Sequence, residues 1–364
     1  MKIIITGMAA ALLAAILFTP FRVSAVSAER AIVMDGQTGR VIYEKDADTR
    51  SLIASTTKIM TALIICEQCN VLDRMAIPKE AVGIEGSSMY LKEGEVLTLQ
   101  ELLYGLMLQS GNDAAVALAI YCGGTVADFA ELMNDKASRL GLEDTHFVNP
   151  HGLDDPDHYS TARDLAKLAS YAMNNPIFAR TVSAKTVTIG DRYLRNHNKL
   201  LWSVEGADGV KTGFTKAAGR ILVSSATRLG RRILAVTINA PSDWKDHTHF
   251  FEHSFARYTP KTLIECGQCL GTVEIAGGQA GYTEIIAAED FAFAMQENES
   301  WYTVLPEPGF VYAPVVCGQH AGYAHIFVEN TAVGKVALCY GDTVEKQFEE
   351  SIPWWKRLFC GGSQ

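Results

Sequence analysis

Two spacings of apolar residues occur along this chain, and they predict different secondary structure. Residues 29–46 and 219–240 carry apolar runs around short glycine-containing turns, which is the pattern of a β-hairpin. Elsewhere apolar residues recur three and four positions apart, which predicts amphipathic helices. The predicted helices cover residues 53–68, two runs within 98–122 that break at Ser110-Gly111-Asn112, and residues 126–140, 161–174 and 245–257.

The pattern changes near Pro260. From there to about residue 345, short β-type runs alternate with glycine and proline, and no long helical pattern occurs. We therefore predict an α+β protein in which a large domain, residues 26–258, precedes a small all-β domain, residues 259–345. No internal repeat is visible in either part.

Both ends of the chain carry segments with a predicted role outside the fold. Lys2 precedes an apolar run at residues 3–18, and a small-x-small site follows, which are the features of a secretory signal peptide. Cleavage is expected after Ala25, with Ala28 as the second choice. An uncleaved anchor is the alternative, although the run is shorter than the roughly 20 residues that span a bilayer. We expect residues 1–25 to be removed on export. The tail, residues 346–364, contains WWKRLF and is either a short amphipathic membrane anchor or packed on its own domain.

Composition narrows the function classes. The chain has 364 residues, of which 48% are hydrophobic and 20% charged, as in an ordinary globular protein. Its net charge is −9 and it has no basic run to contact phosphates, so we expect no nucleic-acid partner. Among its 8 cysteines are the CEQC and CGQC pairs, but disulfide pairing, buried free thiols and a zinc site shared by the two pairs all stay open from sequence.

The first candidate for chemistry is the pair Ser55 and Lys58. Residues three apart share one face of a helix, so the lysine amine can reach the serine oxygen. Serine becomes a nucleophile only when a base takes its proton, and lysine can be that base when burial keeps it partly neutral. The apolar neighbours Ile53, Ile59 and Leu63 predict such burial. Alone, however, this spacing also suits a capping serine and a surface lysine.

Two further motifs favour the catalytic interpretation. Ser110 and Asn112 interrupt two helices with a hydroxyl and an amide that can both point into a cleft. Lys211-Thr212-Gly213 lies just ahead of the second hairpin, where its glycine would let a ligand approach the backbone. In this order the three motifs are the SxxK, SxN and KTG elements of serine acyl-transfer enzymes that react with β-lactams.

At these residues the chain resembles the low-molecular-mass penicillin-binding proteins that act as serine-type D-alanyl-D-alanine carboxypeptidases. The resemblance runs from Ala28 to about Glu345 and includes ASTTKIMTALI, LLYGLMLQSGNDAA, NPHGLDDPDHYST and DGVKTGFTKAAGR. It implies a transpeptidase domain like those of penicillin-binding proteins and β-lactamases, with an antiparallel sheet and flanking helices. A small all-β domain would follow it.

The resemblance also implies a role for each motif residue, with no metal and no cofactor. The substrate would be a peptidoglycan stem pentapeptide ending in D-Ala-D-Ala, and β-lactam antibiotics would be acylating inhibitors. The enzyme would act at the outer face of the cytoplasmic membrane or in the cell wall. The implied assignments are Ser55 as nucleophile, Lys58 as base, Ser110 as proton relay, Asn112, Lys211, Thr212 and Gly213 as substrate-binding residues, and the backbone N–H groups of Ser55 and Phe214 as oxyanion hole.

Several alternatives stay open. A β-lactamase uses the same nucleophile, but the loop at 141–160 offers only Glu143, which lacks a matching context. A transpeptidase or endopeptidase of the same fold cannot be separated from a carboxypeptidase by sequence. A non-catalytic cell-wall binding protein is disfavoured because Ser55 and Lys58 are both present.

Two weaker features could suggest a metal site. His247, His249 and His253 of the last predicted helix could place imidazoles on one face, as zinc ligands do. The loop at 154–158 resembles a cation-binding loop but lacks the residue spacing of a calcium loop.

One contact expected from the resemblance has no assigned residue. Some relatives hold the substrate carboxylate with an arginine after the second strand of the hairpin. Here that region has Lys245 but no arginine.

Overall fold

The computed structural model describes residues 26–305 and 309–347. The chain divides into two compact units, with the division between Phe255 and Ala256. The signal peptide and most of the tail predicted above lie outside the described residues.

The helices of the first unit follow the predicted pattern closely. All the regions predicted as helical are helical, but residues 53–68 begin with a 3₁₀ turn, Ala54–Thr57, before the α-helix starts at Lys58. Threonine or asparagine side chains cap four of the helices, as helix N-termini require. The α-helices are α1 Lys58–Gln68, α2 Leu99–Leu108, α3 Asn112–Gly123, α4 Val126–Arg139, α5 Ala162–Ala172, α6 Pro176–Ser183, α7 Leu200–Ser203 and α8 Asp243–Arg257.

An antiparallel sheet of five strands organises this unit, in the order β2-β1-β9-β8-β7. Both predicted hairpins are confirmed, as β1 with β2 and as β8 with β9. The strand that carries the KTG motif, β7, lies at the edge of the sheet. The strands are β1 Arg30–Asp35, β2 Val41–Lys45, β3 Arg74–Ala76, β4 Val96–Thr98, β5 Thr186–Ile189, β6 Arg192–Arg195, β7 Ala207–Thr215, β8 Gly219–Arg228 and β9 Arg231–Ile238.

Helices cover both faces of the sheet. Along β1, Ile32 and Met34 belong to a large core with α1 and the other helices, whereas Ala31 and Val33 belong to a second core with α8. This alternation follows from the two-residue period of a strand. Helix α1 lies in the middle of the larger core, with its residues from Lys58 to Cys66 all buried. Because its N-terminal end points toward β7, the core holds the SxxK motif next to the KTG motif.

The second unit is all-β, as predicted. Its main sheet has six strands in the order β14-β16-β17-β12-β11-β15, and β10 pairs with β13 beside it. The strands are β10 Thr259–Ile264, β11 Cys269–Ala276, β12 Tyr282–Ala287, β13 Phe291–Met295, β14 Trp301–Val304, β15 Val311–Tyr312, β16 His320–Val328 and β17 Thr331–Tyr340.

A short internal repeat lies in this sheet, which corrects the expectation that none exists. Cys266-Gly267-Gln268 precedes β11, and Cys317-Gly318-Gln319 precedes β16. In both turns the glycine has a φ near +80° and its N–H bonds to the last residue of the paired strand, Ala287 or Tyr340. Since β12 pairs with β17 through Ile286 opposite Cys339, the two hairpins are related by a local two-fold axis.

No single helix within residues 26–305 and 309–347 is long and apolar enough to cross a membrane. Helices α3 and α4 are long and apolar enough for a membrane span only when taken together, and the angle between them is 82°.

Candidate active site

Ser55 lies in the 3₁₀ turn that faces the edge strand β7. The turn and the strand are in close contact, because a Cβ at Gly213 would lie 3.2 Å from the carbonyl oxygen of Ile53 and 3.3 Å from the backbone nitrogen of Thr56. Ala54, just before Ser55, has a φ of +44°, a conformation that non-glycine residues adopt rarely and mostly at functional sites. The local backbone therefore presents Ser55 to the space beside the KTG motif.

Lys58 is fully buried and makes three polar contacts with its amine. Its Nζ lies 2.9 Å from Ser55 Oγ, 2.7 Å from Asn112 Oδ1 and 2.6 Å from the carbonyl oxygen of His151. Two of these partners are carbonyl oxygens that can only accept hydrogen bonds, whereas the serine hydroxyl can also donate. A neutral amine has two N–H groups and one lone pair. With both N–H groups used by the carbonyl oxygens, the lone pair is left for Ser55.

The surroundings favour that neutral form. Burial, and then the charge of Lys211, hold the pKa of Lys58 well below its ordinary value, while the Asp113 carboxylate opposes the shift. Burial likewise lowers the pKa of Lys211 to about 7. Both buried amines therefore have a lowered affinity for a proton, and for Lys58 this shift is in the direction that a general base requires.

Ser110 and Asn112 are held by the break between α2 and α3. Ser110 has a φ of +63° and accepts a hydrogen bond from Lys211 Nζ at 3.1 Å. The side-chain amide of Asn112 donates to the carbonyl oxygen of Glu85 at 2.5 Å, and its backbone N–H donates to that of Ser87 at 2.7 Å. These two bonds orient the Asn112 side chain so that its oxygen faces Lys58.

Asp113 fixes the loop that holds Asn112. Its carboxylate is buried and accepts bonds from the hydroxyl of Ser88 at 2.6 Å and from the backbone N–H groups of Met89 and Leu91 at 3.1 Å. Asp113 therefore acts on Lys58 in two ways, through its charge and by positioning Asn112. The sequence motif drew attention to Ser110 and Asn112 and missed this residue, although it directly follows them.

The loop at 149–153 supplies the third partner of Lys58. Its position depends on Gly152, whose φ is +87° and whose missing Cβ would lie 1.9 Å from the carbonyl oxygen of Ala54. Asn149 Oδ1 accepts hydrogen bonds from the N–H groups of His151 and Gly152 at 3.2 Å and 2.7 Å. His151 thus contributes its backbone carbonyl group to the amine.

A cavity of about 660 Å³ opens beside Ser55. Ser110, Thr212, Gly213 and Phe214 line it, whereas Lys58 and Lys211 lie buried behind its wall. Of the residues singled out from the sequence, the structure therefore brings the SxxK, SxN and KTG elements together around one cavity.

Arg220 is a positively charged residue of the cavity that the sequence analysis did not single out. It is the residue opposite Phe214 in the pairing of β7 with β8, and it lines the cavity. Its guanidinium bonds to both carboxylate oxygens of Asp243, at 2.8 and 2.9 Å, and lies 5.8 Å from the ring centre of Trp244. An arginine was expected after the second strand of the hairpin. Its place at the start of the first strand could have been found from the pairing register of KTGFTKAAGR.

Other groups make the far wall of the cavity positive. Arg195 lies 5.1 Å from the ring centre of Trp202, and Lys199 lies 6.0 Å from that of Trp244. His197 is also in this wall, with a pKa lowered by burial and by Lys211. Among the residues of 26–305 and 309–347, Asp243 is the one acidic side chain that lines the cavity, and it is paired with Arg220. The cavity therefore suits a ligand with a carboxylate.

The histidines of α8 do not form the zinc site that sequence left open. Both ring nitrogens of His247 contact hydroxyl groups, those of Ser224 at 2.5 Å and Thr237 at 2.9 Å. Among the described residues, no three His, Cys, Asp or Glu side chains are grouped so that they could hold a metal ion. In the loop at 154–158, Asp154 accepts a hydrogen bond from the Thr215 hydroxyl at 2.9 Å, which joins the loop to the end of β7. Asp155 accepts from the N–H of Asp157 at 2.8 Å, which stabilises the loop itself.

The fold and the arrangement of the three motifs define the class of penicillin-binding proteins. The solved structure of penicillin binding protein 5 from Haemophilus influenzae matches with a TM-score of 0.79, at 27% identity, over 90% of this chain and 99% of that one. Residues 18–242 match the D-alanyl-D-alanine carboxypeptidase family, peptidase S11, and the chain belongs to that family.

Two curated relatives cover most of the chain. D-alanyl-D-alanine carboxypeptidase DacF of Bacillus subtilis is 31% identical over 81% of this chain and 80% of its own length. D-alanyl-D-alanine carboxypeptidase DacC of Escherichia coli is 36% identical over 88% of this chain and 85% of its own length. The family predicted from the three motifs is thereby confirmed, and the chain is a serine-type peptidase.

Proposed function

We propose that this protein is an exported enzyme that removes the terminal D-alanine from peptidoglycan stem pentapeptides through an acyl-enzyme on Ser55. The observation that carries the proposal is the contact of 2.9 Å between Ser55 Oγ and the buried amine of Lys58, whose other two partners are carbonyl oxygens. A lysine held in this way is a base placed against a nucleophile.

In the proposed acylation, the lone pair of Lys58 takes the Ser55 proton while Oγ attacks the carbonyl carbon between the last two D-alanines. The backbone N–H groups of Ser55 and Phe214 stabilise the negative charge that develops on the carbonyl oxygen. The close contact between the 3₁₀ turn and β7 supports this assignment, because Ser55 is in that turn and Phe214 is in that strand.

The leaving D-alanine needs a proton on its nitrogen. Ser110 is suited to relay it, since its hydroxyl lies 3.1 Å from Lys211 Nζ and lines the cavity. Lys58, now protonated, is returned to its neutral form when the proton passes on. In the second half of the reaction Lys58 takes a proton from a water molecule, whose oxygen attacks the ester carbon. The bond from that carbon to Ser55 Oγ then breaks, and Lys58 returns the proton to Oγ, which releases the shortened peptide and leaves Ser55 and Lys58 as they began.

The substrate's terminal carboxylate is assigned to Lys211, Thr212 and Arg220. Lys211 supplies charge from behind the cavity wall, Thr212 a hydroxyl at its surface, and Arg220 a guanidinium that Asp243 and Trp244 hold in place. Charge-assisted bonds of this kind are strong and directional. β-lactams carry a carboxylate and a reactive amide, so they are expected to acylate Ser55 in the same orientation.

The edge strand β7 explains how a peptide could lie along the site. An extended peptide can add to an exposed strand edge through main-chain hydrogen bonds, and Asn112 would bind its backbone from the other side. Gly213 lets the 3₁₀ turn lie close to this strand, because a Cβ there would be 3.2 Å from the carbonyl oxygen of Ile53, and so Ser55 stays beside the strand along which the peptide would lie.

The proposal is tested by intact-mass spectrometry of the purified protein mixed with benzylpenicillin, alongside Ser55→Ala. A persistent adduct on the wild type alone supports a penicillin-binding carboxypeptidase. Rapid loss of the drug without an adduct would identify a β-lactamase instead, and no reaction at all would contradict the acyl-enzyme on Ser55. Adding an amine acceptor with a D-Ala-D-Ala peptide then separates hydrolysis from transpeptidation.

We also propose where the protein acts, which is outside the cytoplasm at the membrane surface. The features of residues 1–25 support export, and the WWKRLF segment supports attachment to the outer face of the cytoplasmic membrane. Fractionation of cells that express the protein with and without residues 348–364 tests both points. Release from the membrane fraction on truncation is expected, and retention of residues 1–25 in the purified protein would contradict cleavage.

A further inference from the structure

Three cysteines gather at the ends of α1 and α3 that are farthest from the active site. Cys66 is in the last turns of α1, Cys69 follows the last residue of that helix, and Cys122 is the residue before the end of α3. Cys66 is buried, whereas Cys69 and Cys122 are half-buried. Cys122 is 53 positions from Cys69 along the chain, and the packing of α1 against α3 brings it to the other two cysteines.

The side chains of Cys69 and Cys122 are neighbours. Cys122 Sγ lies 3.7 Å from Oε1 of Gln68, the residue that precedes Cys69, and each of the two thiols influences the pKa of the other. Neighbouring cysteines at the ends of two packed helices can reach the 2.05 Å of a disulfide by side-chain rotation, provided that their Cβ atoms are close. The mechanism proposed above uses neither thiol.

We infer that Cys69 and Cys122 form a disulfide that ties the far end of α1 to the far end of α3. At their near ends the same two helices present Lys58 and Asn112, whose Nζ and Oδ1 atoms are 2.7 Å apart. The bridge therefore fixes, from outside the site, the relative position of the two helices that carry the base and its partner. Export to an oxidising compartment would permit the bridge, but the geometry stands without it.

The reaction is a thiol–disulfide exchange with a small-molecule disulfide such as oxidised glutathione. The Cys69 thiolate attacks one sulfur of the reagent, which forms a mixed disulfide and releases one glutathione thiolate. The Cys122 thiolate then attacks Cys69 Sγ and releases a second glutathione. Two protein thiols are oxidised, one reagent disulfide is reduced, and the two protons end on the two glutathione molecules.

The local environment suits a structural bridge more than a reactive one. Burial, together with the nearby Cys122, raises the pKa of the Cys69 thiol to about 12. Burial also raises that of Cys122. A thiol with a high pKa is a poor leaving group, so a reductant opens such a disulfide slowly. The same property makes closure slow in the folded protein, and alkaline pH with long incubation is needed to form the bridge.

The test uses the full protein after long incubation with oxidised glutathione at alkaline pH, compared with the same protein kept in dithiothreitol. Free thiols are alkylated, and the chain is digested without reduction by trypsin and by a protease that cleaves after glutamate. Glu67 separates Cys66 from Cys69, so the two give different peptides. The expected result is one cross-linked pair of peptides that contains Cys69 and Cys122 and has lost two hydrogens.

A second readout is thermal stability. The bridge closes a loop of about 50 residues, so we expect the Tm of the oxidised protein to exceed that of the reduced protein by at least about 5 °C. Cys122→Ser should abolish both the cross-link and this difference. Cys66→Ala, which removes a thiol from the same cluster, should keep both. All variants should still be acylated by benzylpenicillin at room temperature, which shows that they fold.

Three results would overturn the inference. One is alkylation of both Cys69 and Cys122 in the oxidised protein. Another is a cross-link from either of them to Cys66 or to a cysteine of the second unit. The third is a cross-link between Cys69 and Cys122 that leaves the Tm unchanged, which would contradict the stabilising role.

Discussion

At the scale of single residues, the buried amine of Lys58 carries most of the chemical argument. Methionine has nearly the same length and is apolar, so Lys58→Met should fold while it removes the base. We expect the acylation rate with a fluorescent penicillin to fall by at least about 100-fold, the usual contribution of a positioned base. Stopped-flow fluorescence measures it. Ser55→Ala is the matched control and should give no adduct at all; a near-normal rate in Lys58→Met would mean that another group takes the serine proton.

Arg220 gives a second prediction at this scale. Arg220→Ala removes the guanidinium from the cavity while Asp243 stays buried, so binding of a carboxylate should weaken. We expect kcat/KM for a D-Ala-D-Ala peptide to fall by about 10- to 100-fold, in line with the loss of a charge-assisted hydrogen bond. Steady-state release of D-alanine measures the change.

Arg228→Ala is the control, because Arg228 lies on the same strand but pairs with Glu252. Its kinetics should match the wild type. If Arg220→Ala instead had unchanged kinetics with a peptide that ends in a free carboxylate, another residue would hold that group.

The sequence identified the side chains of the site better than its backbone groups. Ser55, Lys58, Ser110, Asn112 and the KTG residues stood out because their chemistry depends on residue type and spacing. The carbonyl group at His151 could not be found in this way, because every residue has one and only the loop geometry selects it. Arg220 was missed for another reason: the arginine was sought after the second strand of the hairpin, whereas Arg220 faces Phe214 across the tight turn between β7 and β8.

At the scale of elements, the loop at 149–153 and the 3₁₀ turn depend on each other through Gly152. Gly152→Ala would add a Cβ 1.9 Å from the Ala54 carbonyl oxygen in a backbone with a φ of +87°. Because that carbonyl cannot move without shifting Ser55, we expect a loss of about 2 kcal/mol or more in the free energy of unfolding. Benzylpenicillin acylation should slow as well. Thermal melts and the acylation rate measure the two effects.

Gly190→Ala separates the contact from the backbone strain. Gly190 has a φ of +55°, but a Cβ there would meet nothing within 4 Å. It should cost only about 1 kcal/mol, the usual price of a positive φ for alanine, and leave acylation unchanged. Equal losses in the two variants would show that the contact with Ala54 does not matter.

The elements predicted from periodicity are those with long, regular patterns. Helices α1 to α5 and α8 and both hairpins of the large sheet fall in that group. The short elements α6, α7 and the small ribbons β3–β4 and β5–β6 were not predicted, because three to eight residues carry too little periodicity and their positions are set by packing. The 3₁₀ turn before α1 is a similar case, since the contact with β7 decides its geometry.

At the scale of the whole molecule, the buried lysines make stability depend on pH. Lys211 has a pKa of about 7 in the folded protein, against about 10.4 for an unfolded chain. Between these values the unfolded chain binds more protons, so the free energy of unfolding rises with pH, by at most about 1.4 kcal/mol per pH unit for one group. The stability that Lys211 contributes at high pH is therefore lost as the pH falls to about 7, and below that value both states bind the proton.

Lys211→Met lacks the titrating group and is the comparison. Urea unfolding between about pH 7 and about pH 9, followed by tryptophan fluorescence, should show a shallower rise for the variant than for the wild type. The difference between the two proteins should grow with pH. Parallel curves would mean that the amine of Lys211 keeps its ordinary affinity for protons in the folded state.

The local two-fold axis in the second unit has a consequence for how that unit holds together. Each Cys-Gly-Gln turn with its hairpin is one half of what amounts to a dimer within a single chain, joined at Ile286 and Cys339. A lone two-stranded hairpin is only marginally stable in water, and contacts across a two-fold axis occur twice. The two halves therefore need each other: a cut between Val304 and Val311 that lets them drift apart would unfold both, as dilution dissociates an obligate dimer.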